Sequence, residues 1–177
     1  MNTYVVFLRG INVGGRNKLL MKDLVVILEG IGCVNVKTII QSGNVVLQSS
    51  NNKVPELAKN IGQAINQQHN FQPHIHILTT KDFQQAINNN PFTEAKVDPK
   101  TLHFGFLEVI PPNPNIGKLA ALKTATEYFQ LINKVFYLHA PDGIGRSKLA
   151  AQTEKNLGVS MTSRNWRTVC KLQEMVE

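Results

Sequence analysis

Only two of the 177 residues are cysteine, one is tryptophan and twelve are acidic, and each shortage removes a class of function. Cys33 and Cys170 form no CxxC pair and lie in apolar periodic settings, so reduced core thiols are expected rather than a disulfide or a metal clip. His74 and His76 set two imidazoles on one strand face, an incomplete ligand set that no nearby Asp, Glu or Cys completes, so no metal is expected. Carboxylates are sparse in the polar blocks and unpaired in any motif, which leaves general acid–base hydrolysis without an obvious pair. No apolar run approaches the ~20 residues a membrane helix needs. The run from Tyr4 to Leu8 is too short for a signal-peptide core, so a cytoplasmic protein without membrane contact is expected.

What is present is a basic chain with an uneven distribution of cations. The net charge is +7, which favours polyanions and anionic small ligands. Fourteen lysines are scattered along the sequence, but all five arginines fall in two stretches. Arg9 and Arg16 flank Gly10-Ile11-Asn12-Val13-Gly14-Gly15. Arg146 lies in Gly143-Ile144-Gly145-Arg146-Ser147-Lys148, and Arg164 and Arg167 lie in Thr162-Ser163-Arg164-Asn165-Trp166-Arg167. Guanidinium is a planar, permanently charged fork suited to carboxylate and phosphate, whereas lysine is a flexible, well-hydrated point charge. Arginine beside glycine, serine and asparagine points to a place built to hold an anion.

Periodicity organises the chain into two halves. Tyr4–Leu8 reads as a central strand, Met21 to Ile31 as a helix, and Val34 to Gln41 as a strand with Val34, Val36, Thr38 and Ile40 on its apolar face. Ser42-Gly43-Asn44 supplies a turn back into a strand from Val45 to Gln48. Ser49 to Asn52 offers caps for a helix carried by Val54, Leu57, Ile61 and Ile65. A strand over Pro73–Leu78 and a short helix capped by Thr79 or Thr80 complete a β-α-β-β-α-β pattern. Asn88 to Lys100 is polar and reads as a linker. The pattern then restarts: a strand from Leu102, a helix through Ile116 and Leu119, and strands over Tyr128–Ile132 and Val135–His139. A helix capped by Ser147 ends at Gly158, and a final helix is expected with Thr162 as its cap. The fold class predicted is α+β, with two ferredoxin-like (βαββαβ-type) halves in one compact unit, 1–90 and 101–177, joined by 91–100. In the second half a helix replaces the last strand.

Four blocks resemble a known family. Tyr4-Val5-Val6-Phe7-Leu8-Arg9-Gly10-Ile11-Asn12-Val13-Gly14-Gly15 with Met21 resembles the opening of the bacterial domain of unknown function 1697. Gln41-Ser42-Gly43-Asn44-Val45-Val46, Gly145-Arg146-Ser147-Lys148-Leu149 and the segment Thr162 to Val169 with Lys171-Leu172 are similar to its later blocks, in the same order. The resemblance implies a cytoplasmic α+β protein of two ferredoxin-like halves. It implies no activity.

The motifs leave two readings open. A glycine-bearing loop leaving a strand turns backbone N–H groups toward an oxyanion. The same glycines also serve a tight β-to-α connection. Gly10 and Gly15 have the spacing of a phosphate-binding loop, but Arg16 and Asn17 replace its Lys and Ser/Thr, and the GxGxxG fingerprint is missing; no nucleotide cofactor is therefore expected. Ser147 and Thr162 mark two helix starts, which attract anions through free N–H groups and the helix dipole. Arg164 and Arg167 would share one face of the second helix. Trp166, Phe104 and Phe106 read as core. The leading expectation is an anion site for a nucleotide or nucleic acid. It draws on Arg9, Gly10, Asn12, Gly14, Gly15, Arg16, Ser42, Asn44, Arg146, Ser147, Lys148, Arg164 and Asn165. The alternatives are an enzyme on a phosphorylated or carboxylated metabolite, with Ser147 or Lys148 in the chemistry, and a structural module.

Overall fold

The computed structural model describes residues 1–177 except the side chain of Ile40, whose predicted facing lies outside the described residues. The strand predicted to run from Val34 to Gln41 ends at Ile39, Ile40–Ser42 forms a 3-10 turn, and Val34, expected on the apolar face, is exposed. The chain divides into two compact units, residues 1–85 with 171–177, and residues 86–170. Among the described residues there are two four-stranded antiparallel sheets and six α-helices, an α+β protein.

The first unit contains β1 (Asn2–Arg9), α1 (Met21–Gly30), β2 (Val34–Ile39), β3 (Asn44–Ser49), α2 (Val54–His69) and β4 (His74–Thr79), followed by the start of α3 (Thr80–Asn88). Its sheet runs in the order β2-β3-β1-β4. β1 has no alternating pattern because both of its faces are buried: Val5 and Phe7 are as inaccessible as Tyr4, Val6 and Leu8. The second set packs with Val45, Leu47 and Ile77 against Leu24, Ile27 and Leu28 of α1 and Leu57, Ile61 and Ile65 of α2. Thr79 caps α3, its Oγ1 accepting from Asp82 N at 3.1 Å and donating to Asp82 Oδ2 at 2.7 Å. The expected caps of α2 act one step earlier. Ser49 Oγ accepts from Asn51 N and Asn51 Oδ1 from Lys53 N, which shapes the approach, while Lys53 at the cap position contributes no side-chain bond.

The second unit contains β5 (Leu102–Leu107), α4 (Ile116–Leu122), β6 (Tyr128–Ile132), β7 (Val135–His139), α5 (Lys148–Leu157) and β8 (Met161–Asn165). The last helix, α6 (Trp166–Val176), begins here, and its end, residues 171–177, is grouped with the first unit. The sheet order is β6-β7-β5-β8. One face carries Leu107, Phe136 and Leu138 against Leu119 of α4 and Leu149 and Leu157 of α5. Phe104 and Phe106 are buried on the other face, Phe104 edge-on to Tyr137 with ring centroids 4.9 Å apart.

One expectation is corrected here. Thr162 does not cap a helix, and the last strand of the second half is not replaced. Met161–Asn165 is a strand antiparallel to β5, with Thr162 opposite Phe106 and Arg164 opposite Phe104. The cap lies three residues on, where Asn165 Oδ1 accepts from Thr168 N and Thr168 Oγ1, both at 3.0 Å. Both units therefore read β-α-β-β-α-β with the same strand order.

Candidate functional site

In the first unit the segment after β1 folds back on itself as a small hairpin. Val13 and Arg16 pair across Gly14-Gly15, which have φ of 57° and 75°. Positive φ at both central residues is the tight hairpin turn that glycine accepts without cost. Asn12 and Asn17, also at positive φ, lock its base. Asn12 N donates to Asn17 O at 3.1 Å, and Asn17 Nδ2 donates to Gly10 O at 2.8 Å. The Asn12 carboxamide bonds Leu19 twice and donates to Gln41 O at 2.9 Å. Gly10, Gly14 and Gly15 thus meet backbone demands, and the carboxamide of Asn12 is committed within the protein. Arg9 and Arg16 project at the surface.

Ser42 and Asn44 are coupled beneath this hairpin. Asn44 is fully buried and its Nδ2 donates to Ser42 Oγ at 2.8 Å. Between them Gly43 adopts φ 69°, and its carbonyl accepts from Leu8 N at 2.8 Å. A Cβ at this position would sit 2.7 Å from Leu8 Cβ. The sequence expectation of turn chemistry at 42–44 holds, and the reason for the glycine is this approach to β1.

The remaining residues belong to the second unit. Ser147 caps α5, its Oγ accepting from Ala150 N at 2.9 Å. Arg146 and Lys148 on either side are exposed. Arg164 is half-buried on β8, so it does not share a helix face with Arg167, which lies on α6. Arg164 Nη1 donates to Ser163 O at 2.8 Å, and burial draws its pKa from 12.5 down to about 10. It remains a cation at neutral pH. Asp142, four residues before Arg146, accepts from Thr126 Oγ1 at 2.6 Å.

Two features escaped the sequence reading. A groove of about 360 Å³ runs between α4 and α5, lined by Lys118 and Leu122 from one helix and Lys148, Ala151 and Gln152 from the other. The only signal for Lys118 was its position four residues before the apolar Leu122, which every amphipathic helix shows. His103 on β5 is buried, and its Nε2 has no hydrogen-bond partner among the described residues. Burial lowers its pKa, opposed by a backbone hydrogen bond with Lys100. His74 is exposed and His76 buried against Phe7. No group of three or more His, Cys, Asp or Glu among the described residues could hold a metal. Also among them, no helix is long and apolar enough to cross a membrane.

A two-sheet α+β protein with basic surface blocks is the class these observations define. The chain belongs to the family DUF1697, described as a protein of unknown function, whose model matches residues 1–137. Among solved structures it is similar over 99% of both chains to the conserved bacterial protein SP0830 from Streptococcus pneumoniae, with a TM-score of 0.78 and 23% identity. That likeness concerns the fold. No curated protein matches.

Proposed function

We propose that the protein binds a phosphate-bearing ligand, a nucleotide or a nucleic acid, through its exposed guanidinium and ammonium groups. The observation that carries this reading is the α4–α5 groove. Lys118 and Lys148 approach it from two helices, and it lies at the Ser147-capped start of α5, next to Arg146 in the chain. Two ammonium groups beside a helix N-terminus favour an anion on both counts, charge and dipole. Arg9 and Arg16, on the Asn12-held hairpin of the first unit, and Arg164, half-buried on β8 of the second, enter the same reading as phosphate contacts each within its own unit. The excess of basic over acidic residues supports it generally. We also read both units as ferredoxin-like sandwiches, on the strength of their shared element and strand order, and the location as cytoplasmic, on the strength of Cys33 and Cys170 standing as thiols outside any disulfide.

A structural reading of the polar blocks has its own support. Asn12, Asn44, Ser147 and Asn165 all use their side chains in hydrogen bonds within the fold. The two readings part on the cations, not on these residues.

Thermal-shift titrations separate them. The panel is inorganic phosphate, nucleotides, sugar phosphates, dicarboxylates and short RNA and DNA, at low and physiological salt, against wild type and the double variant Lys118→Gln/Lys148→Gln. A stabilisation by one phosphate class that survives physiological salt and is lost in the variant is the expected result. Nucleic acid binding adds a steep fall of affinity with salt, in proportion to the phosphates neutralised. If no member of the panel stabilises the wild type, the proposal fails.

A further inference from the structure

The second unit has another cavity, of opposite character. About 350 Å³ in volume, it opens between the segment 91–101 and the end of β7, and its lining includes Phe92, Glu94, Val97, Asp98, Thr101 and His139. This is the lower end of the size range of small-molecule sites. Basic residues outnumber acidic ones 19 to 12 in the chain, yet no lysine or arginine lines this cavity. The nearest lysine in sequence is drawn elsewhere: Lys96, between the two carboxylates, sets its Nζ 4.8 Å from the centroid of the Trp166 ring. The Glu94 carboxylate has neither an ion pair nor a hydrogen bond among the described residues.

The walls are held before any ligand arrives. Asp98 Oδ1 accepts from Lys100 N at 3.3 Å, and its carbonyl accepts from Thr101 N at 3.0 Å and Thr101 Oγ1 at 2.8 Å. Phe92 N donates to Asn90 Oδ1 at 3.0 Å, and the Phe92 ring stands 6.4 Å from that of His139. Carboxylates, an aromatic ring and an apolar wall around one volume are the surroundings a cation on a hydrocarbon body requires. The carboxylates supply charge-assisted hydrogen bonds and the ring face attracts the cation.

We propose that this cavity binds a small organic cation, a primary ammonium group on a short apolar body. The ammonium is held by Glu94 and Asp98, and the body rests against Phe92 and Val97. The inference is independent of the phosphate reading, since it uses other residues and a ligand of opposite charge.

The test is an amide ¹⁵N–¹H correlation titration with phenethylammonium and butylammonium chloride, with 2-phenylethanol and butanol as neutral controls of the same shape. Saturable shifts confined to residues 92–101 and the end of β7 are expected for the amines and not the alcohols. Glu94→Gln removes one charge from an exposed side chain and is expected to weaken amine binding roughly tenfold. Phe92→Leu is expected to weaken phenethylammonium more than butylammonium. Superposable spectra elsewhere show that each variant is folded. Absence of a saturable shift there, equal binding of amine and alcohol, or unchanged affinity in Glu94→Gln would each overturn the proposal.

Discussion

Asn12 grips both backbone groups of Leu19: its Oδ1 accepts from Leu19 N at 2.9 Å and its Nδ2 donates to Leu19 O at 2.8 Å. The pair closes the basic hairpin onto the chain that enters α1, and Leu19 itself is buried in the first core. Asn12→Ala removes three side-chain hydrogen bonds from a half-buried position and is expected to cost about 2 kcal/mol of stability. Asn12→Asp keeps the acceptor and loses both donor bonds, so it rescues little. Urea denaturation of the two variants measures this. A loss below about 0.5 kcal/mol for Asn12→Ala would show that the clamp is not what orders the hairpin.

Two glycines of the sequence motifs are expected to behave in opposite ways. Gly43 has a positive φ and a would-be Cβ at 2.7 Å from Leu8 Cβ on a central strand. Gly43→Ala therefore meets backbone strain and a clash together, and about 3 kcal/mol of destabilisation is expected. Gly14 also has a positive φ but nothing within 4 Å of a Cβ. Asn is the residue best suited to that turn position, so Gly14→Asn is expected to stay within about 0.5 kcal/mol of wild type. Comparable melting temperatures for the two variants would contradict the assignment of the close approach to Gly43.

The cap of α6 is a test of the corrected reading of the C-terminal block. Asn165→Ala is expected to cost about 1 kcal/mol, and Asn165→Asp or Asn165→Ser to recover most of it, because either oxygen can accept from Thr168 N. Thr162 is buried on β8. Thr162→Val is expected to be tolerated there, whereas it would cost as much as Asn165→Ala if Thr162 were the cap. Chemical denaturation of both variants separates the two placements.

That block also shows where sequence was informative. Tyr128–Ile132 and Val135–His139 were readable to the residue because two apolar runs flank a two-residue turn, and Asn133 takes the positive φ that such a turn needs. Residues 161–165 read as a helix start, rather than the strand they form, for a physical reason. Thr, Ser and Asn serve an edge strand and a helix cap alike, and a five-residue strand shows too little alternation to decide. Of the site, Ser147 as a cap was local chemistry and legible. Lys118 beside Lys148 was not, because two helices far apart in sequence meet there. The unpartnered Nε2 of His103 was not legible either, since only the packing of β5 on both faces removes it from water.

His103 gives the protein a pH dependence whose sign is fixed by that burial. Its folded pKa is lowered from 6.5 by desolvation, so below that value the unfolded chain takes up the proton more readily than the folded one. Stability is thus complete above about pH 6.5 and is lost as pH falls from the unfolded value toward the folded one. His103→Phe removes the titrating group at similar volume and is expected to hold neutral-pH stability within about 1 kcal/mol. Denaturation midpoints between pH 7.5 and 5 should fall less steeply in the variant than in wild type, the difference isolating His103 from the other four histidines. Parallel profiles would mean that the imidazole is protonated equally in both states, and hence that its Nε2 is not withdrawn from solvent as the structure places it.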